Sequence, residues 1–346
     1  MEKWINAIRS NGDIIGIAFD GPNSQVKFYK NGSAYSTVTS ISSSFYVFHG
    51  FTSDQSIQVW NFGQNGTFLG TETSQGNSDE NGNGDFYYAP PSGHLALCTT
   101  SFLEPTVGPN STTQAGNHFN TVLYTGNGST QSITGVGFQP DWVWIKERSS
   151  TSSHALYDSS RGALKQLESD NTSAESTASS MLTSFDSDGF SVGSSGAINQ
   201  SSQTYVSWNW KANGGTTSSD SNGSITSTVQ ANTTAGFSIV LYTGTGANAT
   251  VGHGLGVAPR WIIMKRRDSS QNWVVYHEEV GNDKELLLNT ADAVTSSNSA
   301  YFNNTSPTST VFSLGSDAYA NASSGTYVAY CFAEVEGYSK FGSYTS

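Results

Sequence analysis

Two stretches decide the fold: GFQPDWVWIKERSSTSSHALYDSSRG (Gly137–Gly162) and GVAPRWIIMKRRDSSQNWVVYHEEVG (Gly256–Gly281). Each starts at a glycine, reaches a Pro-X-Trp step (Pro140 to Trp142, Pro259 to Trp261) and runs through alternating apolar residues to a lysine, Lys146 or Lys265. A polar turn follows, then a second apolar run with a tyrosine (Tyr157, Tyr276) and a closing glycine. Alternation with a period of two, interrupted by a polar turn, predicts a pair of antiparallel strands. The same pair written twice predicts one structural unit used twice.

The repetition extends outward from these stretches. FNTVLYTGNGS from Phe119 matches FSIVLYTGTGA from Phe237, GFSVGSS from Gly189 resembles VFSLGSD from Val311, and TYVSWNW from Thr204 matches TYVAYCF from Thr326. The offset runs from 118 (Phe119 to Phe237) to 122 (Thr204 to Thr326), so each copy is domain-sized rather than a solenoid unit. Trp142, Trp144 and Lys146 alternate with Val143 and Ile145, which predicts a strand covered on both faces. Val206, Trp208 and Trp210 alternate with Ser207 and Asn209, which predicts a strand buried on one face. Pro140 and Pro259 stand just before a strand, where a missing N–H matters least. ALKQLESDNTSAES from Ala163 allows a helical turn or two at most. The expected fold class is all-β: antiparallel β-sandwiches of concanavalin or jelly-roll type in tandem.

Composition agrees with this class. Only 12% of residues are charged, while 8 Trp, 16 Tyr and 18 Phe supply the apolar mass of a core. A net charge of −12 argues against nucleic acid and anionic membranes as partners, because neither would meet a basic surface. No apolar run is long enough for a spanning helix, and MEKWINAIRSNGD lacks the apolar centre of an export signal. Cys98 and Cys331 fall in different expected domains, so they read as two buried free thiols rather than a disulfide framework.

The copies keep glycines, prolines, aromatics and strands but change their charges. Asp141 aligns with Arg260, Asp158 with His277, and Arg161 with Val280. Catalysis needs particular titratable groups at fixed geometry, so no catalytic, cofactor-binding or metal residue is assigned and no cofactor is expected. GHGLG from Gly252 precedes a strand rather than a helix, which removes the dinucleotide reading. Asp79, Asn81 and Asn83 begin a calcium-loop pattern whose closing glutamate is replaced by Pro90, and a polar hairpin turn is the expectation. Trp273, Tyr301 and Phe302 are candidates for stacking on sugar rings, with core packing the default for each. His277-Glu278-Glu279 and Lys265-Arg266-Arg267-Asp268 read as solvated charge, and Asp158 with Arg161 as a pair that pins a loop.

The first hundred residues differ. GDIIGIAFD from Gly12, FYKNG from Phe28, NFGQ from Asn61 and PPSG from Pro90 followed by Leu95-Ala96-Leu97 resemble the C-terminal half of a SPRY domain, a concanavalin-like sandwich. Asn31-Gly32 between strand-like runs also signals a hairpin directly. The strands that precede this half in the family are missing, so the expectation is either a fragment of a longer protein or cover from another chain or the neighbouring domain. The two later copies resemble repeats beside SPRY-like domains in structural proteins of marine tailed bacteriophages. The motif of those repeats is Tyr-Thr-Gly, Pro-X-Trp, Tyr-Asp…Arg-Gly, a Gly-Phe strand and Tyr-Val-X-Trp; the first copy carries all of it, and the second lacks the Asp and the Arg.

The expected organisation is a partial SPRY-like sandwich (1–105), a linker (106–117), repeat 1 (118–212), a linker with an irregular strand (213–235) and repeat 2 (236–346). Tyr338 onward resembles either the opening of a third copy or a closing strand. The resemblance implies a non-catalytic virion protein, a tail-fibre or appendage module for display and attachment to a host surface glycan. It is made in the host cytoplasm, partnered by other virion proteins and assembled as a homo-oligomer, a trimer in a fibre. The alternatives are a bacterial surface lectin or adhesin, a capsid decoration protein, and a polysaccharide-degrading enzyme.

Overall fold

The computed structural model describes residues 12–21, 23–41, 59–98, 105–108, 111, 113–294 and 299–344. The chain is all-β, with 36% strand against 5% helix, and its sheets are antiparallel. It divides into two compact units, Met1–Leu103 and Glu104–Ser346.

In the first unit β1 (Ile15–Asp20), β2 (Gln25–Lys30) and β3 (Ser33–Thr39) form a meander in that order. Asn31 and Gly32 turn β2 into β3 with φ of 48° and 78°. Two successive positive φ values define the hairpin turn whose twist matches that of the strands, as the Asn-Gly pair predicts. The Asn31 side chain also accepts from the Ile14 N–H at 2.8 Å, tying the turn to the start of β1. The strand-like stretch FYVFHGF and residues 56–58 lie outside the described residues. Asn61–Gln64 is a tight turn in which Asn61 accepts from the Gly63 N–H and donates to the Asp85 carbonyl, each at 2.8 Å.

The second unit holds both copies. In the first copy β4 (Phe119–Thr125), β5 (Gln131–Thr134), β6 (Trp142–Glu147) and β7 (Ala155–Asp158) come first, followed by the short pair β8 (Lys165–Gln166) and β9 (Ser176–Thr177). Then come β10 (Leu182–Asp186), β11 (Gly189–Val192), the turn-length helix α1 (Gly196–Asn199) and β12 (Thr204–Trp210). The large sheet has the order β4-β12-β6-β7 and the small one β10-β11-β5. The segment read as allowing a helical turn holds β8 and no helix.

The second copy follows the same path. Its strands are β13 (Ser218–Asp220), β14 (Ser227–Asn232), β15 (Phe237–Thr243), β16 (Ala249–Gly252), β17 (Trp261–Arg266) and β18 (Val274–His277). After them come α2 (Ser299–Phe302), β19 (Val311–Leu314), α3 (Ala318–Asn321) and β20 (Thr326–Phe332). The order β15-β20-β17-β18 repeats β4-β12-β6-β7, and β16-β19 repeats β5-β11. One difference matters: β13 and β14 extend the second large sheet beyond β15. They arise from residues 213–235, so the expected linker with an irregular strand carries two strands of the second large sheet. Its Ser, Thr and Gln content conceals the strands, because β14 buries Ser227 and Gln230 as well as Val229.

Three apolar clusters order the layers. One fills the first sandwich (Tyr124, Val143, Ile145, Phe190, Tyr205), and another fills the second (Tyr242, Ile262, Met264, Phe312, Tyr327). The third lies between the two large sheets and joins Trp142 and Leu156 to Phe237, Ile263, Tyr330 and Phe332. The large sheets are therefore back to back, and β6 is covered on both faces as its alternation predicts. The reading of β12 is corrected. Ser207 and Asn209 are fully buried against the first sandwich, whereas Val206, Trp208 and Trp210 are only half-buried. Asn209 is satisfied there by donating to the Asn120 carbonyl at 3.0 Å, as a buried amide requires.

The recurring Tyr-Thr-Gly has a packing cause. The Tyr124 and Tyr242 hydroxyls each donate at 2.7 Å to a carbonyl within α1 or α3 (Ile198, Ala320), and each ring stacks on the Tyr of the last strand. Two residues on, a Cβ at Gly126 or Gly244 would collide with the backbone carbonyl of Gln200 or Ala322. Gly126→Ala is expected to lower stability by about 1–3 kcal/mol through this overpacking. Gly116→Ala, where a Cβ meets nothing, is expected to leave the thermal melt within about 1 °C of wild type. Equal melts for both variants would remove the close-approach argument.

Candidate functional site

The charges that differ between the copies gather where the copies meet. Asp141, fully buried at the start of β6, accepts from the N–H groups of Ala212, Gly214 and Gly215 at 2.7–2.9 Å. Gln230 on β14 accepts from Gly215 at 2.9 Å and donates to the hydroxyls of Ser159 and Ser160, also at 2.9 Å. Asp141 and Gln230 thus hold the crossing between repeats. The aligned Arg260 sits at the surface instead, paired with Glu278 beside an open depression that Val257 and Glu334 also line.

Asp158 and Arg161 form a second knot. The Asp158 carboxylate accepts from the Arg161 backbone N–H at 2.8 Å, from the Arg161 guanidinium, and from the Tyr330 hydroxyl of the second repeat at 2.7 Å. Arg161 also reaches the Lys165 carbonyl at 3.0 Å and Glu175 at 3.1 Å. Arg267 of the second repeat closes on Glu175 with two bonds of 2.8 and 2.9 Å. Burial works against the Arg161 charge, but Asp158 beside it outweighs that and holds the guanidinium firmly protonated. Burial would raise the Glu175 carboxyl, yet hydrogen bonding from Arg267 and the Arg161 charge bring it below its ordinary value. The expected loop pin is present, and it also bridges the repeats.

Lys265 and Arg267 correct the solvated-charge reading. Lys265 is fully buried, and its ammonium donates to the carbonyls of Thr172 at 3.0 Å and Gln271 at 2.7 Å. Burial drives its pKa down from 10.5 to about 8. The folded protein therefore binds fewer protons than the unfolded chain between those two values, and stability rises with pH across that window. The free-energy difference between wild type and Lys265→Met is expected to climb with pH above 8, at up to about 1.4 kcal/mol per pH unit. A difference that is flat from pH 7.5 to 9.5 in urea titrations would mean that burial does not lower the Lys265 pKa.

The remaining candidates separate. Trp273, Tyr301 and Phe302 are buried, so none offers a face to a sugar, and the Trp273 indole donates to the Glu168 carbonyl at 2.8 Å. Asp79 is buried and accepts from the N–H groups of Asn81, Asn83 and Ala96 at 2.8–3.0 Å, so the turn itself occupies the carboxylate. Among the described residues no three His, Cys, Asp or Glu side chains converge as a metal site requires. His253 of the Gly252–Gly256 loop is buried and joins the Thr308 carbonyl (3.1 Å) to the Leu255 N–H (3.2 Å). Cys331 is buried, whereas Cys98 is half-buried. The C-terminal segment from Tyr338 folds back, with Phe341 beside Trp261 and Phe332.

A feature the sequence did not announce is a row of side chains on the seam-side face of the first large sheet, running outward from the buried seam. Thr121, Trp208, Trp144 and Leu156 are cross-strand neighbours, with Leu123, Val206 and Lys146 one step along. Trp208 and Trp144 meet edge to face at 6.3 Å, and His154 stands edge-on to Trp144 at 5.7 Å. The equivalents of Trp208 and Trp144 in the second copy, Tyr330 and Ile263, are buried in the seam. Only that copy comparison, combined with knowledge of the seam, could have marked the pair as partly open.

The fold is thus a tandem of two antiparallel β-sandwiches joined through their large sheets, with buried ion pairs at the joint. Residues 114–346, the greater part of the chain, match the model of a family described as a domain of unknown function (DUF7483), and the chain belongs to that family. No curated protein and no solved structure matches it.

Proposed function

We propose that this chain is a non-catalytic structural and attachment module of a phage particle, of tail-fibre or appendage type, which displays loops and a sheet face to a host-surface glycan. The observation that carries the reading is where the buried charges are engaged. Asp141, Asp158, Arg161, Glu175 and Lys265 all bind backbone groups or cross between the repeats. Catalysis would instead aim such groups at a cavity. A stiff double sandwich is what a display module needs, because weak contacts add up only when geometry is held. The phage likeness of Tyr124-Thr125-Gly126, Pro140-Asp141-Trp142 and Tyr157-Asp158 supplies the setting.

The test is binding of the full chain to whole bacteria and to extracted surface glycans, with reducing ends monitored over time. Saturable, strain-dependent binding without new reducing ends is the expected result. Accumulating reducing ends would make the protein an enzyme, and absence of binding to every strain would leave an architectural role such as capsid decoration.

A further inference from the structure

We infer that the Trp208–Trp144 row on the first large sheet is a binding face for a neutral hexopyranose, a site that rests on the attachment reading and gives it a location. The second copy covers the equivalent area twice over. Strand β14 pads the outer edge of β15, and Tyr330 and Ile263 lie in the seam. In the first copy β4 is the outermost described strand of its sheet, and Leu123 on it is 61% exposed. Thr121 is exposed, and Trp208, Trp144, Val206 and His154 are half-buried around it. A partly open indole on a sheet face, in a protein that buries Trp142 and Trp273 completely, is an apolar surface with a hydrogen-bonding rim.

The rim has a defined polarity. The Trp144 indole N–H donates to Nδ1 of His154 at 2.7 Å. With Nδ1 accepting, the neutral ring carries its proton on Nε2, and burial lowers the His154 pKa, favouring that neutral form. Among the described residues neither Nε2 of His154 nor Nε1 of Trp208 has an acceptor, so two N–H donors flank the aromatic pair. The nearby cation does not compete, because the Lys146 ammonium already donates to the carbonyls of Glu147 and Ser150 at 2.8 and 3.0 Å. Aromatic and aliphatic surface beside free N–H donors matches a pyranose, which presents a C–H face for packing and hydroxyl oxygens for accepting. A hexose has about a dozen heavy atoms, which limits one site to roughly millimolar affinity. Useful attachment then depends on many copies acting together.

The test uses the full chain titrated with chitohexaose, laminarihexaose and mannohexaose, read by tryptophan emission and calorimetry, with thermal melts confirming folding. At least one hexaose is expected to bind saturably and shift the emission. Trp208→Ala is expected to weaken that binding about tenfold, the loss of roughly 60 Å² of packed apolar surface. Trp208→Tyr should weaken it less, since a ring remains. Leu123→Lys, at an exposed position that does not threaten the fold, should also weaken it several-fold. No response to any hexaose, or binding that survives both Trp208→Ala and Leu123→Lys, overturns the site. So does a wild-type dimer that Trp208→Ala converts to monomer without any hexaose binding, because a second copy would then occupy the face. Cell attachment retained by Trp208→Ala rejects the site and keeps the attachment reading. Hexaose binding without attachment to any cell does the reverse.

Discussion

Arg161→Met is expected to lower the stability of the Glu104–Ser346 unit by about 3–5 kcal/mol, the usual penalty for breaking a buried ion pair from one side. At roughly 2–4 °C per kcal/mol for a unit of this size, the midpoint of thermal unfolding should fall on the order of 10 °C. The large effect follows from what is left behind. Asp158 is fully buried and would keep only the Tyr330 hydroxyl and one backbone N–H, neither of which carries a charge. Glu175 would keep Arg267 and so would be less affected.

The double variant Asp158→Asn, Arg161→Met separates pair from pin. Asparagine can still accept from Tyr330 while the uncompensated charge disappears, so the double variant should regain more than half of the loss. Energies of the two single changes that simply add would mean that the two side chains do not act as a pair. Calorimetry of all four proteins under one buffer decides it.

Much of this arrangement was legible in the sequence, but not the joint. Strand alternation placed β6 with both faces covered, because Trp142 and Val143 are apolar on opposite sides and both are fully buried. Repetition gave equivalent strands without any structure, since Tyr-Thr-Gly and Pro-X-Trp are fixed by backbone approach and sheet entry. What failed were polar residues with long-range reasons. Ser207 and Asn209 looked solvent-facing because hydrophilic side chains usually are, yet their hydrogen bonds lie across the sheet. Lys265 looked solvated beside Arg266, Arg267 and Asp268, but its two carbonyl acceptors come from Gln271 and from Thr172 in the other copy. The change from Asp158 to His277 between copies read only as a sign that no catalytic group is retained. It marks the asymmetry of this joint, because the first copy alone carries the carboxylate that Tyr330 meets.

Trp142→Ala tests whether that joint is what makes the two sandwiches unfold together. Trp142 stacks on Tyr330 at 4.2 Å and lies 5.8 Å from Phe237, both from the second repeat, with Trp210 of its own sheet at 4.4 Å. Truncation should cost about 3–5 kcal/mol, nearly all of it from the central layer. The outer cores around Phe190 and Phe312 keep their contacts. The expected result is one more calorimetric transition than wild type, as the two repeats begin to melt separately. Phe190→Ala should lower the midpoint by a comparable amount without adding a transition, because it hollows one sandwich and leaves the joint intact. Trp142→Phe discriminates further. Among the described residues the buried indole N–H has no acceptor, so a phenyl ring removes an unsatisfied donor worth about 1–3 kcal/mol while giving up part of the packing. That variant should stay within roughly 1 kcal/mol of wild type and keep the cooperative melt. An unsplit transition in Trp142→Ala would mean that the aromatic layer adds stability without coupling, and that the coupling runs through Asp158, Arg161 and Tyr330 instead.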